Sequence, residues 1–275
     1  MTVVAAVTRA FMIVEALASR EAGATASDLI SELKLEKSVV SRILNTLERQ
    51  GWIRDVGGGT YCLTLKLIAL GLRQVENTDL YRLCYPKLFQ VSQNTGELVQ
   101  LALVEDNGLT FVAKAEAQAR IRVVALLGKR ADLHATAVGK VWLASLPDEI
   151  ALKLALNAGL RPLTPHTITT VKQLRNELRK ARMNGYAIND EETSLGVRGI
   201  AVPIYEHDNR TVIGAITLVA PVFRMSHERA VELAPVLVQA ACELRGISYL
   251  KVYERKPWLE SGDDQSQERA SGGGH

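Results

Sequence analysis

Three cysteines in 275 residues, Cys62, Cys84 and Cys242, are odd in number and far apart. That argues against a disulfide framework, and the lack of a CxxC pair argues against a structural zinc. No stretch reaches the roughly 18 consecutive apolar residues of a membrane helix, so no membrane partner is expected. The first ten residues, MTVVAAVTRA, lack a basic region followed by a long apolar stretch. They do not read as a secretory signal, and the cytoplasm is the expected location. Catalytic signals are missing too. His134, His166, His207 and His227 are scattered, and no two share metal-ligand spacing. Ser145 and Ser194 have no GxSxG context, and no glycine-rich phosphate loop occurs. No cofactor, no metal and no enzymatic activity are expected.

What is present fills two domains. The length exceeds one typical domain, and 47% hydrophobic residues suffice for ordinary cores. The net charge of +3 says little by itself, but its distribution says more. Between residues 34 and 54, Lys34, Lys37, Arg42, Arg49 and Arg54 stand against Glu36 and Glu48, five cations to two anions. That is a modest basic footprint of the kind a phosphate-contacting module needs.

The same region carries helical periodicity. Val40, Ile43, Leu44 and Leu47 recur at i, i+3, i+4 and i+7. Ser38 is placed to cap this helix, and Gly51 to end it. Its outward face carries Lys37, Ser41, Arg42, Asn45 and Arg49. Upstream, TASDLISEL reads as a short helix capped by Thr25 with Asp28 in its first turn, burying Leu29, Ile30 and Leu33. Only Leu35 and Glu36 are expected between the two helices, which is helix-turn-helix spacing. Before them, RAFMIVEALASR places Phe11, Val14, Leu17 and Ala18 on one stripe. After them come two strands, Trp52–Val56 and Tyr61–Leu65, around Gly57, Gly58 and Gly59. Three helices and a small hairpin make a winged helix-turn-helix over residues 1–64.

Residues 65–78 read as a linker helix, from about Leu65 to Glu76. Its apolar side outsizes anything the winged module could cover, so pairing with the same helix of a second chain is a natural use. From 79 to 250, helices and strands alternate. LYRLCYPKLFQVSQNTG, DEIALKLALNAG and TVKQLRNELRKARMNG read as helices. HATAVGKVWLASLP starts in a loop and becomes a helix that ends before Pro147, and SHERAVELAPVLVQAACELRGISYL reads as a terminal helix capped by Ser226 and containing Pro235. A hairpin turns at Asp106, Asn107 and Gly108, and a second strand pair turns near Asp208 and Asn209. RIRVVALLGKR reads as one more strand. The fold class is α+β, an antiparallel sheet with helices against it. Residues 251–275 form a polar tail expected to be disordered.

Three segments, KSVVSRILNTLERQGWI, HATAVGKVWLASLP and GYAINDEETSLGVRGIAVPI, together resemble the IclR family of bacterial transcription regulators. The resemblance runs from about Ala6 to Tyr249. It implies a winged helix, a linker helix and a GAF-like effector-binding domain. It implies dimers through the DNA-binding part, tetramers through the effector domains, and operators near genes for catabolism of small organic acids or aromatic compounds.

By position, Lys37, Val39, Ser41 and Arg42 fall where the family touches DNA, and Arg9 matches a first-helix phosphate contact. Val39 departs from the family's usual threonine and can offer only apolar contact, for instance to a thymine methyl. Arg42 is the candidate base reader, because a guanidinium can bond guanine at two points. Its alternative is an ion pair with Glu48 or Asp55. Lys37, Arg54 and Thr60 are candidate phosphate ligands, with Ser38 and Asn45 on the same face.

For the effector, the resemblance implies a pocket lined by Ala137, Val138, Asn189, Gly199, Thr217 and Val219. Asn189, Gly199 and Val219 stand where some relatives place polar or acidic groups. The pocket is therefore expected to suit an aromatic or larger apolar acid. Arg130 or Arg198 could neutralise that acid, or could simply lie on the surface. His134 reads as a structural hydrogen-bonding residue, and Asp190, Glu191 and Glu192 as a polar rim loop. The competing readings are a winged-helix module for protein contacts and an enzyme with a docking winged domain.

Overall fold

The computed structural model describes residues 3–78, 80–116, 123–207 and 210–245. The chain divides into two compact units, Met1–Thr78 and Asp79–His275.

The first unit begins with helices α1 (Ala5–Ala18), α2 (Ala26–Leu33) and α3 (Lys37–Arg49). Short strands β1 (Ala24–Thr25), β2 (Ile53–Asp55) and β3 (Thr60–Leu63) form a three-stranded antiparallel sheet in the order β1-β3-β2. The core is Ile13, Leu17, Leu29, Val40, Ile43, Leu44 and Ile53. Thr25 and Asp28 form a reciprocal capping box at the start of α2.

Several expectations need correcting. The stripe of α1 is rotated: Ile13, Ala16 and Leu17 are buried, while Phe11 and Ala18 face out. α2 ends at Leu33, with Lys34 left-handed at φ 52°, so the inter-helix turn is three residues long. Ser38 does not cap α3. The extended residue before the helix is Glu36, whose carbonyl accepts from the Val39 and Val40 amides at 3.0 Å each. Ser38 is thereby left in the first turn with its side chain outward. The wing strands are shorter than expected, and β1 was not foreseen because two residues carry no periodicity. Gly57, Gly58 and Gly59 all adopt positive φ, which only glycine adopts without strain.

Helix α4 (Leu65–Thr78) closes the first unit. Thr64 and Lys66 tie its start to the end of α3. Thr64 Oγ1 donates to the Gly51 carbonyl at 2.6 Å, and Lys66 Nζ donates to the Gln50 carbonyl at 2.7 Å. The Lys66 ammonium also sits 4.7 Å from the Trp52 ring centroid.

The second unit holds α5 (Leu80–Thr95), β4 (Leu98–Glu105), β5 (Gly108–Ala115), α6 (Ala137–Ser145), α7 (Asp148–Ala158), α8 (Val171–Asn184), β6 (Ala187–Asp190), β7 (Val197–Tyr205), β8 (Val212–Pro221) and α9 (His227–Glu243). Its five strands lie in the order β5-β4-β8-β7-β6, every pair antiparallel. Period-two alternation sends side chains to opposite faces. Val99, Leu101, Ile200, Val202, Ile216 and Leu218 pack with α5 and α9. Ala102, Ala187, Ala201 and Ala215 pack with α6, α7 and α8. The small residues let the helices pack directly on that second face, and the cavity described below is lined by other sheet residues, Gln100, Gly199, Thr217 and Val219 among them.

RIRVVALLGKR does not form a strand in its described part, 123–130. Val124, Leu126 and Leu127 are exposed, so no second layer fixes them. The run instead leans on β5 through backbone bonds from Phe111 to Lys129 (3.0 Å), Gly128 to Phe111 (2.7 Å) and Ala131 to Leu109 (2.8 Å). β6 was missed, being only four residues long. The expected turn at Asp208 and Asn209 and the stretch 246–275 lie outside the described residues.

Candidate functional site

The outward face of α3 is free. Lys37, Ser38, Ser41, Arg42, Asn45 and Arg49 are all exposed, as is Arg54 on β2. Arg9 and Thr60 are half-buried, and Val39 is half-buried against the core of the unit. The one hydrogen bond of the Arg42 side chain among the described residues runs from Nε to the Ser38 carbonyl one turn back, at 3.3 Å. The alternative ion pairs do not form. Glu48 Oε1 accepts from the Asp55 amide at 3.3 Å, and Asp55 Oδ1 accepts from the Gly57 amide at 2.7 Å. The Arg42 guanidinium tip is therefore directed at solvent with its fork of donors available.

The second unit carries a cavity of about 290 Å³, near the small end of ligand pockets. Ala137 and Val138 reach it from the start of α6, Asn189 from β6, Gly199 from β7, and Thr217 and Val219 from β8. Strand register puts Asn189 beside Gly199 and Gly199 beside Val219. Thr217 lies one pleat further along, opposite Gln100 of β4. Gly199 keeps the floor low. A Cβ there would stand 3.3 Å from Val219 Cγ2 and 3.5 Å from the Leu218 carbonyl. α6 is aimed by its cap, Thr136 Oγ1 accepting from the Gly139 amide at 3.1 Å.

Lys129, Arg130 and Arg161 line this cavity, against one acid, Asp132. Arg198 does not. It binds Asp190 Oδ1 at 2.9 and 2.6 Å and the Met225 carbonyl at 2.6 Å. His134 is buried, with Nε2 3.0 Å from the Arg161 carbonyl, a structural bond. The acids of the NDEETSLG loop do not converge. Asp190 holds Arg198, Glu191 Oε2 accepts from the Gly196 amide at 2.7 Å, and Glu192 pairs with buried Lys140. Asn189 is engaged by the same loop, Nδ2 donating to Thr193 at 2.7 Å and Oδ1 accepting from the Glu192 amide at 2.9 Å. Among the described residues no group of His, Cys, Asp or Glu could hold a metal.

Sequence reasoning missed Gln100, Lys129, Arg161 and the stretch Val123–Leu126 as cavity wall. One signal was available for Gln100, a lone polar residue in the apolar strand LVQLALV. The others lie in segments without periodicity.

A winged helix-turn-helix with an unpaired basic helix face, on one chain with an α+β unit holding a small-molecule cavity, is the build of a ligand-responsive DNA-binding regulator. The chain belongs to the IclR family of bacterial transcriptional regulators. The model of the IclR helix-turn-helix domain matches residues 6–57, and that of the bacterial transcriptional regulator IclR C-terminal domain matches residues 72–245. The HTH-type transcriptional regulator KdgR of Dickeya chrysanthemi is 31% identical over 257 residues, covering 93% of this chain and 82% of that protein. The transcriptional repressor IclR of Escherichia coli is 27% identical over 244 residues, covering 88% and 89%. A solved structure of an IclR homolog complexed with 4-hydroxybenzoate, from Microbacterium hydrocarbonoxydans, superposes with a TM-score of 0.71 at 26% identity, covering 90% and 100%. The family is one of regulators, not enzymes, and the docking-enzyme reading falls with that. No described helix is long and apolar enough to cross a membrane.

Proposed function

We propose that this regulator is a cytoplasmic repressor of catabolic genes whose operator affinity is set by a small, flat organic acid, aromatic by preference. The observation that carries the effector class is the cavity. Three cationic residues line it against one acid, while Val138, Gly199 and Val219 give it a flat apolar floor and wall. A carboxylate is drawn by the charge, and a ring lies on the apolar surface. A relative of the same fold is known in complex with 4-hydroxybenzoate.

On the DNA side, α3 enters the major groove with Arg42 at a base edge and Val39 offering its exposed part to a thymine methyl. Ser38, Ser41 and Asn45 share that face. Arg9, Lys37, Arg54 and Thr60 bind phosphates and fix the register. Leu65, Ile68, Leu72 and Val75 of α4 are exposed on helical spacing, and a second copy covers them. A dimer then reads two half-sites about one helical turn apart, and effector units pair dimers into tetramers. The acid acts by binding one arrangement of the dimer better than the other.

The test is a gel-shift titration on DNA upstream of the protein's own gene, with and without benzoate-type acids. The acid shifts the midpoint at least about fivefold, the low end of ordinary allosteric coupling. Binding that no acid changes would contradict the effector reading.

A further inference from the structure

We propose that Gln100 is the residue that selects the effector, hydrogen-bonding a neutral hydroxyl or carbonyl group carried by the acid. This rests on reading the cavity as the effector site. Gln100 is 6% exposed and lines the cavity. It points to the α6 face of the sheet, sharing the parity of Ala102, while Val99 and Leu101 point to the other face. Its side-chain amide makes no hydrogen bond to any described residue. The amide is not sealed in the core but opens onto the cavity, so a group bound there meets a donor and an acceptor that no described residue engages.

The neighbours show why this amide is the reader. Asn189 is spent on Thr193 and the Glu192 amide. The Thr217 hydroxyl donates to the Ile200 carbonyl at 2.8 Å. Of the polar residues on the sheet side of the cavity, Gln100 alone has both a donor and an acceptor uncommitted among the described residues. The floor has two rungs: Asn189, Gly199 and Val219 on one, Thr217 and Gln100 on the next. Two residues along a strand rise about 7 Å, a distance comparable to a benzene ring with its para substituents. An acid lying along the strands across Gly199 thus brings a second polar group to Gln100. A glutamine amide, donor and acceptor at once, accepts from a hydroxyl or donates to a carbonyl without adding charge to an anion site.

Isothermal titration calorimetry on the full chain tests this with two matched pairs, benzoate against 4-hydroxybenzoate and propanoate against 2-hydroxypropanoate. The wild type prefers the hydroxylated member of at least one pair. Gln100→Met, nearly isosteric and apolar, collapses that preference by roughly tenfold while binding of the parent acid stays within about twofold. Unchanged operator binding certifies that the variant is folded. If it is not folded, Gln100→Glu is read instead, which keeps the acceptor and must keep the hydroxyl preference. A preference that survives Gln100→Met, or a wild type indifferent to the hydroxyl, overturns the assignment and leaves the effector reading standing. A wild type that binds none of the four acids overturns both.

Discussion

Lys140 is the residue with the most to lose. It is fully buried on α6, donating to the Ile188 carbonyl at 2.9 Å and to Glu192, with Glu177 3.6 Å away. Glu192 is itself buried, and its Oε2 has no partner among the described residues. Burial pushes the Glu192 carboxyl above its ordinary value, and the Lys140 ammonium beside it pulls the other way without winning. The pair fastens the wall at α6 to the loop that carries Asn189 and Thr193. Breaking one partner strands a buried charge. Lys140→Met is expected to cost about 3–5 kcal/mol in urea denaturation, and Lys140→Met with Glu192→Gln less than the sum of the two single changes. The raised carboxyl means the folded chain holds this proton more tightly than the unfolded one. Its contribution to stability is full below pH 4.5 and is lost as pH rises through the raised value. The cost of Lys140→Met therefore shrinks in acid.

At the scale of elements, the joint between α3 and α4 matters most. Lys66 caps the carbonyl end of the recognition helix, stacks on Trp52 and belongs to the helix proposed to hold the dimer. A cation at a helix carboxyl end and over an indole each contribute modestly. Lys66→Ala is expected to lower the stability of the first unit by roughly 1–2 kcal/mol in thermal melts. In gel shifts it should also blunt the effect of the acid on operator affinity. Equal melting and an undiminished response would remove Lys66 from the coupling. Elements with strong periodicity were legible in the sequence: α3 from Val40, Ile43 and Leu44, and the β4–β5 hairpin from Asp106, Asn107 and Gly108. What escaped was fixed by tertiary context. The stripe of α1 depends on which neighbours cover it. β1 and β6 are too short to carry a pattern. The apolar run 123–127 looked like a strand because hydrophobicity alone does not say whether a second layer will cover it. The six positions carried over for the cavity were readable only through the resemblance, since they come from four elements far apart in sequence. Gln100 needed coordinates, because only they show that its amide lacks a partner.

At the scale of the whole molecule, one chain joins a basic helix face to a small cavity lined by more cations than acids, and in the proposed assembly the regulator works as a symmetric pair of such chains. The small net charge of +3 makes the local arrangement of cations decisive, because the molecule as a whole is only weakly drawn to nucleic acid. The central claim is that α3 reads DNA through Arg42. Fluorescence anisotropy with labelled upstream DNA, at fixed salt, measures it directly for wild type and Arg42→Ala, on the native site and on one with the guanine of each half-site replaced. The account predicts saturation at two chains per paired half-sites. It also predicts a loss for Arg42→Ala of about 1–3 kcal/mol on the native site, with the preference for that guanine gone. Equal affinity and equal preference in wild type and variant would contradict it.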